Sequence, residues 1–275
     1  MDFAAFEKAG WADPDVAQSY ADGFAFASDQ VGPTLIRAVA ARRGMRAVDI
    51  CSGHGSVAAG LAEAGLEVTG VDFSPAMLAI ARDRVPGVTF LEGDAMALPF
   101  EDGCFDAATM GFGILHVPDA QIAVSEAARV LKPGARFAYS CWCGPEVLSA
   151  LPAVFGAIQA HGDMSIDLPA SKPAYHFAQA ENAIPLMERA GFVDVGLERV
   201  DSYWLCKAGD DPLRFFAEGT VRGAGLLRAQ PADNFKAIRR AVMAWVERNG
   251  RLDPDSEAFR VPIPAVVVSG RRAKD

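Results

Sequence analysis

The sequence predicts an α/β protein built on a doubly wound parallel sheet, and two observations lead to this fold class. Short apolar strands alternate with segments of helical periodicity from residue 34 onward. Five strands separated in this way imply parallel pairing, because the intervening helices cross back over the sheet. With 275 residues, 51% of them apolar and 22% charged, the chain can bury one large core and carry an added subdomain.

The first three strands follow from ordinary start and stop signals. Ser74 before Pro75 is a typical helix beginning, and Val85-Pro-Gly stops that helix. In chain order the predicted segments are helix Leu35–Arg42, strand Arg46–Ile50, helix Val57–Ala64, strand Leu66–Val71, the helix after Ser74 and strand Val88–Leu91.

The next two strands repeat the pattern, and the alternation becomes less regular after Pro145. The predicted segments are strand Phe105–Met110, helix Ala120–Val130, a turn at Leu131–Gly134, strand Ala135–Cys141, helix Val147–Gln159, a loop at Asp163–Pro173, helix Ala178–Ala190, strand Val193–Leu205, helices Pro212–Glu218 and Asn234–Asn249, and strand-like Phe259–Gly270. The two prolines of the last segment suit an edge strand. We interpret the helical insert as a lid over the site.

Charge and composition exclude several classes of function. The formal net charge of −9 opposes contact with a nucleic-acid backbone. We find neither an apolar run of membrane-spanning length nor a leader-like beginning, so we expect a cytoplasmic protein without a membrane partner. The five cysteines show no paired metal-ligand spacing, so we expect free thiols and no metal.

The segment Val48-Asp-Ile-Cys-Ser-Gly-His-Gly55 carries the strongest chemical signal. A strand runs into a glycine loop that opens a helix, which brings bare backbone and a helix N-terminus close to a ligand. Gly53, Gly55 and Ala58 also fit the dinucleotide fingerprint, with Asp72 as the ribose-binding carboxylate. This loop alone therefore leaves a nicotinamide-dependent oxidoreductase open as an alternative.

Two further features argue against an oxidoreductase, which has no standard need for them. They are Asp49 within the first strand and Leu91-Glu-Gly-Asp-Ala95 after the third. With these companions the sequence resembles class I S-adenosylmethionine-dependent methyltransferases, in particular the ubiquinone and menaquinone C-methyltransferase group with a methyltransferase type 11 domain. The resemblance spans roughly residues 33 to 145. Asp49, Gly53 and Gly55 match the usual form of the family signature, whereas Cys51, Ser52 and His54 depart from it.

The resemblance implies a Rossmann-like sheet of seven mostly parallel strands in the order 3-2-1-4-5-7-6, with strand 7 antiparallel. It also implies one methyltransferase domain over residues 1–275. Within it we assign an N-terminal helical flap (1–32), the cofactor-binding core (33–145), cover helices with strand 6 (146–206), the helical lid insert (207–257), and strand 7 with a tail (258–275).

S-adenosyl-L-methionine is the cofactor that the resemblance implies. Asp49 and the glycine loop would hold its aminoacyl end, Asp72 its ribose hydroxyls, and Asp94 its adenine amine. The residues assigned to cofactor binding are Tyr20, Asp49, Ser52, Gly53, Gly55, Asp72, Phe73, Met77, Gly93, Asp94, Ala95, Met96, Met110 and Gly111. The plainer alternatives are that Asp49 caps a turn, that Asp72 caps the helix at Ser74, and that Asp94 binds a backbone amide.

The predicted reaction is methyl transfer to a small-molecule acceptor, catalysed mainly by positioning and exclusion of water. A general base is optional, and His116 and His176 are the candidates. An apolar or aromatic acceptor would suit the aromatic side chains that can line a pocket: Phe112, Trp142, Trp204, Phe215, Phe216 and Trp245. A catalytically silent S-adenosylmethionine-binding protein and a homodimer stay open.

Overall fold

The computed structural model describes residues 1–207 and 210–274. Residues 208 and 209 of the predicted insert and residue 275 of the predicted tail lie outside this range. The chain divides into two compact units. The sheet unit contains Ser28–Trp142, Lys172–Val200 and the chain from Ala265 onward, and the helical unit contains Met1–Ala27, Cys143–Ser171 and Asp201–Pro264.

The sheet unit is built on seven strands. They are β1 (Arg46–Ile50), β2 (Glu67–Asp72), β3 (Thr89–Glu92), β4 (Phe105–Met110), β5 (Leu131–Trp142), β6 (Phe192–Val200) and β10 (Ala265–Arg272), in the order β3-β2-β1-β4-β5-β10-β6. Within this seven-stranded sheet of the described residues, β10 runs antiparallel to its neighbours, β5 and β6, and the other pairs are parallel. The predicted Rossmann-like fold and its strand order are therefore confirmed.

Most helices of the sheet unit begin within two residues of the predicted position, whereas α4 (Gly32–Ala38) begins and ends several residues before the predicted Leu35–Arg42. The others are α5 (Ser56–Glu63), α6 (Pro75–Arg84), α7 (Ala120–Val130) and α9 (Ala180–Arg189), and α3 (Ala25–Asp29) ends in this unit. The Ser74 hydroxyl accepts the Met77 amide at the start of α6, and the Asp119 carboxylate accepts two amides at the start of α7. Right-handed crossovers place helices on both faces of the sheet, because the strand order reverses between β1 and β4.

The turn predicted at Leu131–Gly134 lies within β5, so that boundary prediction is wrong. Strand pairing shifts between Phe105 opposite Leu131 and Ala107 opposite Arg136. The additional residues of β5 are accommodated as a bulge, in which Gly134 has φ +80°. The turn signal therefore marks an irregularity inside the strand instead of its beginning.

The helical unit contains a separate antiparallel sheet in the order β7-β9-β8. Its elements are α1 (Phe3–Trp11), α2 (Pro14–Ser19), a π-helical turn (Tyr20–Phe24), α8 (Ala150–His161), β7 (Tyr203–Cys206), α10 (Arg214–Gly219), α11 (Val221–Arg228), α12 (Ala232–Asn249), β8 (Arg251–Leu252) and β9 (Phe259–Pro262). Trp204 forms its aromatic core with Phe24, Phe215 and Phe216. The sequence analysis missed α11 and this second sheet.

Two predicted strands are each divided between the two sheets. Val193–Leu205 becomes β6 and β7, and Phe259–Gly270 becomes β9 and β10. The prolines that flank Ile263 have no backbone N–H group and cannot donate a ladder hydrogen bond. Between them, the Ile263 carbonyl accepts a hydrogen bond from the Ser202 hydroxyl at 2.7 Å. The predicted edge position is also wrong, because β10 lies between β5 and β6 and the prolines precede it.

Across the two ranges that the structure describes, no helix combines the length and the apolar character needed to cross a bilayer. The coverage of the site by the segments 1–32, 146–206 and 207–257 stays a prediction.

Arg129 of α7 ties the helix to the turn that precedes β4. Its guanidinium donates to both oxygens of Glu126 at 2.6 and 2.7 Å and to the carbonyls of Phe100 and Leu98 at 2.7 and 3.0 Å. Glu126 in turn accepts the Leu98 amide at 2.8 Å. The planar fork of arginine matches this set of acceptors, whereas a lysine ammonium cannot reach them all.

We expect Arg129→Lys to lower the free energy of unfolding by ~1–3 kcal/mol, because buried carbonyls lose their donors. Urea unfolding followed by circular dichroism measures this. Arg37→Lys is the matched control, since Arg37 forms an exposed pair with Glu198 and should change stability by less than ~0.5 kcal/mol. Equal effects of the two substitutions would contradict the structural role of Arg129.

Candidate functional site

The candidate site lies at the carboxyl ends of β1 and β4, where the strand order reverses. Such a reversal leaves a crevice in which α/β proteins bind ligands. Asp49 of β1 stands opposite Gly70 of β2 and Thr109 of β4. The glycine loop 51–55 follows β1 and leads into α5, so a carboxylate, a loop and a helix N-terminus come together at this edge.

The glycine loop has a backbone that requires its glycines. Gly53 and Gly55 have φ values of +53° and +85°, a region that side chains disfavour. A Cβ on Gly55 would lie 3.2 Å from Ala81 and from Phe90, whereas a Cβ on Gly53 would meet no atom within 4 Å. Gly55 is therefore needed for packing, and Gly53 leaves open space beside the loop.

Asp49 is buried and holds the loop through its side chain. Its two oxygens accept hydrogen bonds from the hydroxyls of Ser52 and Thr109, both at 2.7 Å. Burial raises the pKa of Asp49 to about 6, with a further contribution from the charge of Asp72 and against the lowering effect of the two hydroxyls. The sequence analysis missed Thr109, although a hydroxyl within an apolar strand is a usable signal.

Asp72 at the end of β2 binds both the loop and the next helix. One oxygen accepts the Gly53 amide at 2.8 Å and the other accepts the Ser74 amide at 2.9 Å. Burial raises the pKa of Asp72, while these amides and the charge of His116 lower it. The alternative that Asp72 binds the start of the helix at Ser74 is thus observed. Each carboxylate oxygen keeps a lone pair for a further donor.

Asp94 after β3 is exposed and accepts the Met96 amide at 2.8 Å, as its plainer alternative predicts. Its charge nevertheless reaches Cys51, whose pKa is raised well above the ordinary value by burial and by Asp72, Asp49 and Asp94 together. The structure therefore brings the three predicted carboxylates around one loop residue. The Cys51 thiol stays protonated and is no nucleophile.

The other predicted cofactor residues of this unit lie at or after the ends of β2, β3 and β4. Phe73 is half-buried and Met77 is buried on α6, and Ala95 is buried beside half-buried Gly93 and Met96. Met110 is fully buried at the end of β4. A Cβ on Gly111 would lie 3.1 Å from Val57 of α5, so the segment after β4 approaches the helix that the loop opens.

The segment after β4 also approaches the glycine loop itself. A Cβ on Gly113 would lie 2.3 Å from the Cβ of Cys51. Phe112 has φ +56°, donates its amide to the Ser140 hydroxyl at 3.0 Å and stacks on Trp142 with ring centroids 4.0 Å apart. Left-handed Cys51 and Phe112 are strained non-glycine residues, and such strain concentrates at functional sites.

The predicted catalytic histidines occupy different places. His116 follows the short 3-10 turn Gly113–Leu115 and is close enough for its charge to act on Asp72. His176 contacts the Phe177 ring, and its carbonyl accepts from Asn182. Burial lowers the pKa of His176, and the charge of Lys172 adds to this. The contacts described for His176 do not connect it with the glycine loop, and its catalytic role stays a prediction.

Tyr20 belongs to the helical unit, where its ring stacks on Phe24 at 5.6 Å and meets the Trp11 ring edge-on at 5.5 Å. Its assignment to the cofactor stays a prediction. The same unit contains a cleft of about 850 Å³, lined in part by Trp204 and Phe215 from the predicted set of pocket aromatics. Within the described ranges, no three His, Cys, Asp or Glu side chains cluster as metal ligands.

The sequence analysis missed the residue that binds His54. The buried His54 ring lies 3.0 Å from the carboxylate of Asp29, measured between Nε2 and Oδ1. Burial acts to raise the pKa of Asp29, but the hydrogen bond and charge of His54 outweigh it and leave that pKa lowered. No motif in the sequence indicated this pairing, because 25 residues separate the partners.

The strand order, the glycine loop and the carboxylates of β1, β2 and the segment after β3 agree with the resemblance to class I methyltransferases. Residues 48–139, a third of the chain, match the family described as methyltransferase domain. The resemblance recognised in the sequence is therefore confirmed for the part that contains the glycine loop and β1 to β5.

The resemblance to quinone C-methyltransferases is confirmed by a particular relative. The chain is similar to demethylmenaquinone methyltransferase of Staphylococcus aureus (strain MRSA252), with 43% identity over 106 residues, which are 36% of this chain and 44% of that protein. The chain spans about half the length of the curated relatives it matches.

Solved structures show the same fold at low identity. The YcgJ protein from Bacillus subtilis has a TM-score of 0.55 and 20% identity, covering 89% of this chain and 98% of its own. The [4+2]-cyclase SpnF has a TM-score of 0.55 and 20% identity, covering 90% and 82%. Because a cyclase is among these neighbours, the fold alone does not decide the reaction.

The raised pKa of Asp49 predicts a specific dependence of stability on pH. The folded state binds this proton more tightly than the unfolded state, whose pKa is near the ordinary 3.8. The stabilising contribution is fully present below pH 3.8 and is lost as the pH rises through about 6. We expect Asp49→Asn to gain up to ~3 kcal/mol on wild type between pH 3.5 and 7.5, measured by urea unfolding.

Asp106→Asn is the control with the opposite sign. Lys132 and the Arg46 amide outweigh desolvation and lower the pKa of Asp106, so its contribution is present at neutral pH and lost as the pH falls. Parallel stability curves for wild type and Asp49→Asn across this range would show that Asp49 has an ordinary pKa.

Proposed function

We propose that this protein transfers a methyl group from S-adenosyl-L-methionine to a small-molecule acceptor. One observation carries the proposal: the glycine loop of the methyltransferase domain leaves open space at Gly53 while carboxylates from β1, β2 and the segment after β3 surround it. The chain spans about half the length of its curated relatives, so the activity of the complete protein is part of the proposal.

The donor set of the crevice fits this cofactor. Asp72 retains lone pairs for the paired ribose hydroxyls, and Asp94 is exposed and free to accept an amine on its second oxygen. Asp49 and the helix N-terminus that the loop opens suit the aminoacyl end. When bound, the cofactor supplies a methyl group already activated on a sulfonium. The assignment covers the cofactor residues named from the sequence, including Tyr20.

The work left to the protein is to align the acceptor and to exclude water. His116 lies within electrostatic reach of Asp72 and is the proposed base where the acceptor carries a proton. His176 is the second candidate. A metal has no part in the proposal.

We propose a small apolar or aromatic acceptor. Phe112 and Trp142 form a stacked pair at the carboxyl ends of β4 and β5. Phe112 directly follows Gly111, and Trp142 is the last residue of β5. Flat rings of this kind recognise other flat rings through stacking and apolar contact. The name demethylmenaquinone methyltransferase points to a quinone-type substrate in the relatives, which agrees with this class.

We expect wild-type protein to bind S-adenosylhomocysteine with a Kd in the micromolar range, measured by isothermal titration calorimetry. Asp72→Asn should weaken binding at least ~10-fold, because it removes an acceptor for the ligand and loosens the Gly53 amide. Asp83→Asn, an exposed carboxylate of α6, is the matched control and should bind as wild type. Binding of NAD in place of S-adenosylhomocysteine would overturn the proposal in favour of an oxidoreductase.

Methyl transfer is tested with S-adenosylmethionine labelled in its methyl group and a panel of phenols, quinols and polar amines. We expect label to enter an organic-extractable product with wild type and Asp83→Asn, and not with Asp72→Asn. Label only in polar products would contradict the acceptor class. Cofactor binding without transfer to any acceptor would identify a silent binding protein.

A further inference from the structure

The glycine loop is held from three sides by carboxylates of three different elements. Asp49 of β1 binds Ser52, Asp72 of β2 binds the Gly53 amide, and Asp29 at the end of α3 binds His54. Three consecutive loop residues thus each have their own carboxylate. Asp49 and Asp72 already belong to the proposed cofactor site, whereas Asp29 has had no role assigned.

Asp29 acts on residues on both sides of Gly55. It accepts from the His54 ring at 3.0 Å, and the hydroxyl of Ser56, the first residue of α5, also lowers the pKa of Asp29. Gly55 is the N-cap of α5, has φ +85° and provides no side chain to cap the helix. The carboxylate therefore supplies negative charge near a helix start that lacks a side-chain cap, where such charge is favourable.

The pairing of Asp29 and His54 fixes which group donates the hydrogen bond and which accepts it. The lowered pKa of Asp29 keeps it an ionised acceptor, so Nε2 of His54 carries the hydrogen. The His54 side chain is 6% exposed and that of Asp29 is 34% exposed. A bond to an ionised group that is largely shielded from water is stronger than an exposed one and orients its partner closely.

The loop has open space beside Gly53. Among the described residues, no atom lies within 4 Å of a Cβ position on Gly53. Behind Gly55, Ala81 and Phe90 prevent movement towards α6. Backbone hydrogen bonds hold the Ser52 and Gly55 amides, to the carbonyls of Val71 and Ser52. The carboxylates that bind loop residues, Asp29 among them, supply further support.

We propose that Asp29 is a positioning residue for cofactor binding, which acts through His54 and the start of α5 to pre-form the glycine loop. This inference rests on the proposed function. Without the carboxylate, the loop would sample conformations that must be ordered when the ligand binds, and affinity falls by that cost.

The test compares Asp29→Asn, His54→Thr and the double variant by calorimetric titration of S-adenosylhomocysteine. Asparagine retains the shape of Asp29 but not its charge, and threonine is too short to reach it. We expect each single variant to weaken binding ~10-fold and the double variant to be no weaker than either, because both remove the same contact. Asp29→Glu should restore much of the affinity, and Asp83→Asn should leave it unchanged.

Hydrogen exchange of the amides of residues 52–58 without ligand supplies a second readout. Exchange should be faster in Asp29→Asn and in His54→Thr, while the strands of the sheet keep their protection. If Asp29→Asn does not fold, His54→Thr and Asp29→Glu carry the same comparison.

The outcomes separate the two proposals. Wild-type binding that Asp72→Asn weakens and Asp29→Asn leaves within twofold would overturn the role of Asp29 and retain the proposed function. Additive losses in the double variant would show that Asp29 and His54 act independently and would also overturn it. Absence of wild-type binding would overturn both.

Discussion

The structure of the site depends on carboxylates that bind successive residues of the glycine loop. A loop with left-handed glycines has an unusual backbone shape, which neighbouring elements help to fix. Asp49, Asp72 and Asp29 contribute through Ser52, the Gly53 amide and His54. The strand order brings the first two together, because β1 and β2 are adjacent and parallel.

This arrangement has an energetic cost. Burial raises the pKa of both Asp49 and Asp72, and each carboxylate raises the free energy of keeping the other ionised. A core built for stability alone would avoid two buried acids at one edge. Their retention together with strained Cys51 and Phe112 indicates that the edge is built for a ligand, since strain and perturbed acids concentrate at binding sites.

A cofactor site is easier to recognise in a sequence than an acceptor pocket, and the reason is physical. A methyltransferase domain must present the same loop and carboxylates to a ligand that does not vary, so its sequence pattern is regular over residues 48–139. An acceptor pocket has to fit a variable molecule, and apolar side chains that form one also form ordinary cores. Phe215 and Phe216 show this, because both are packed into the aromatic core of the helical unit.

The sequence by itself determined the alternation of strands and helices, the starts of α6 and α7, and the glycine loop after β1, because periodicity, caps and turn residues are local patterns. The strand order was implied by the family resemblance. Only the tertiary structure decided the contacts between distant positions. Examples are His54 with Asp29, Asp49 with Thr109, and the division of two apolar segments between separate sheets. Such contacts depend on which strands and helices become neighbours, and no short-range pattern in the chain carries that information.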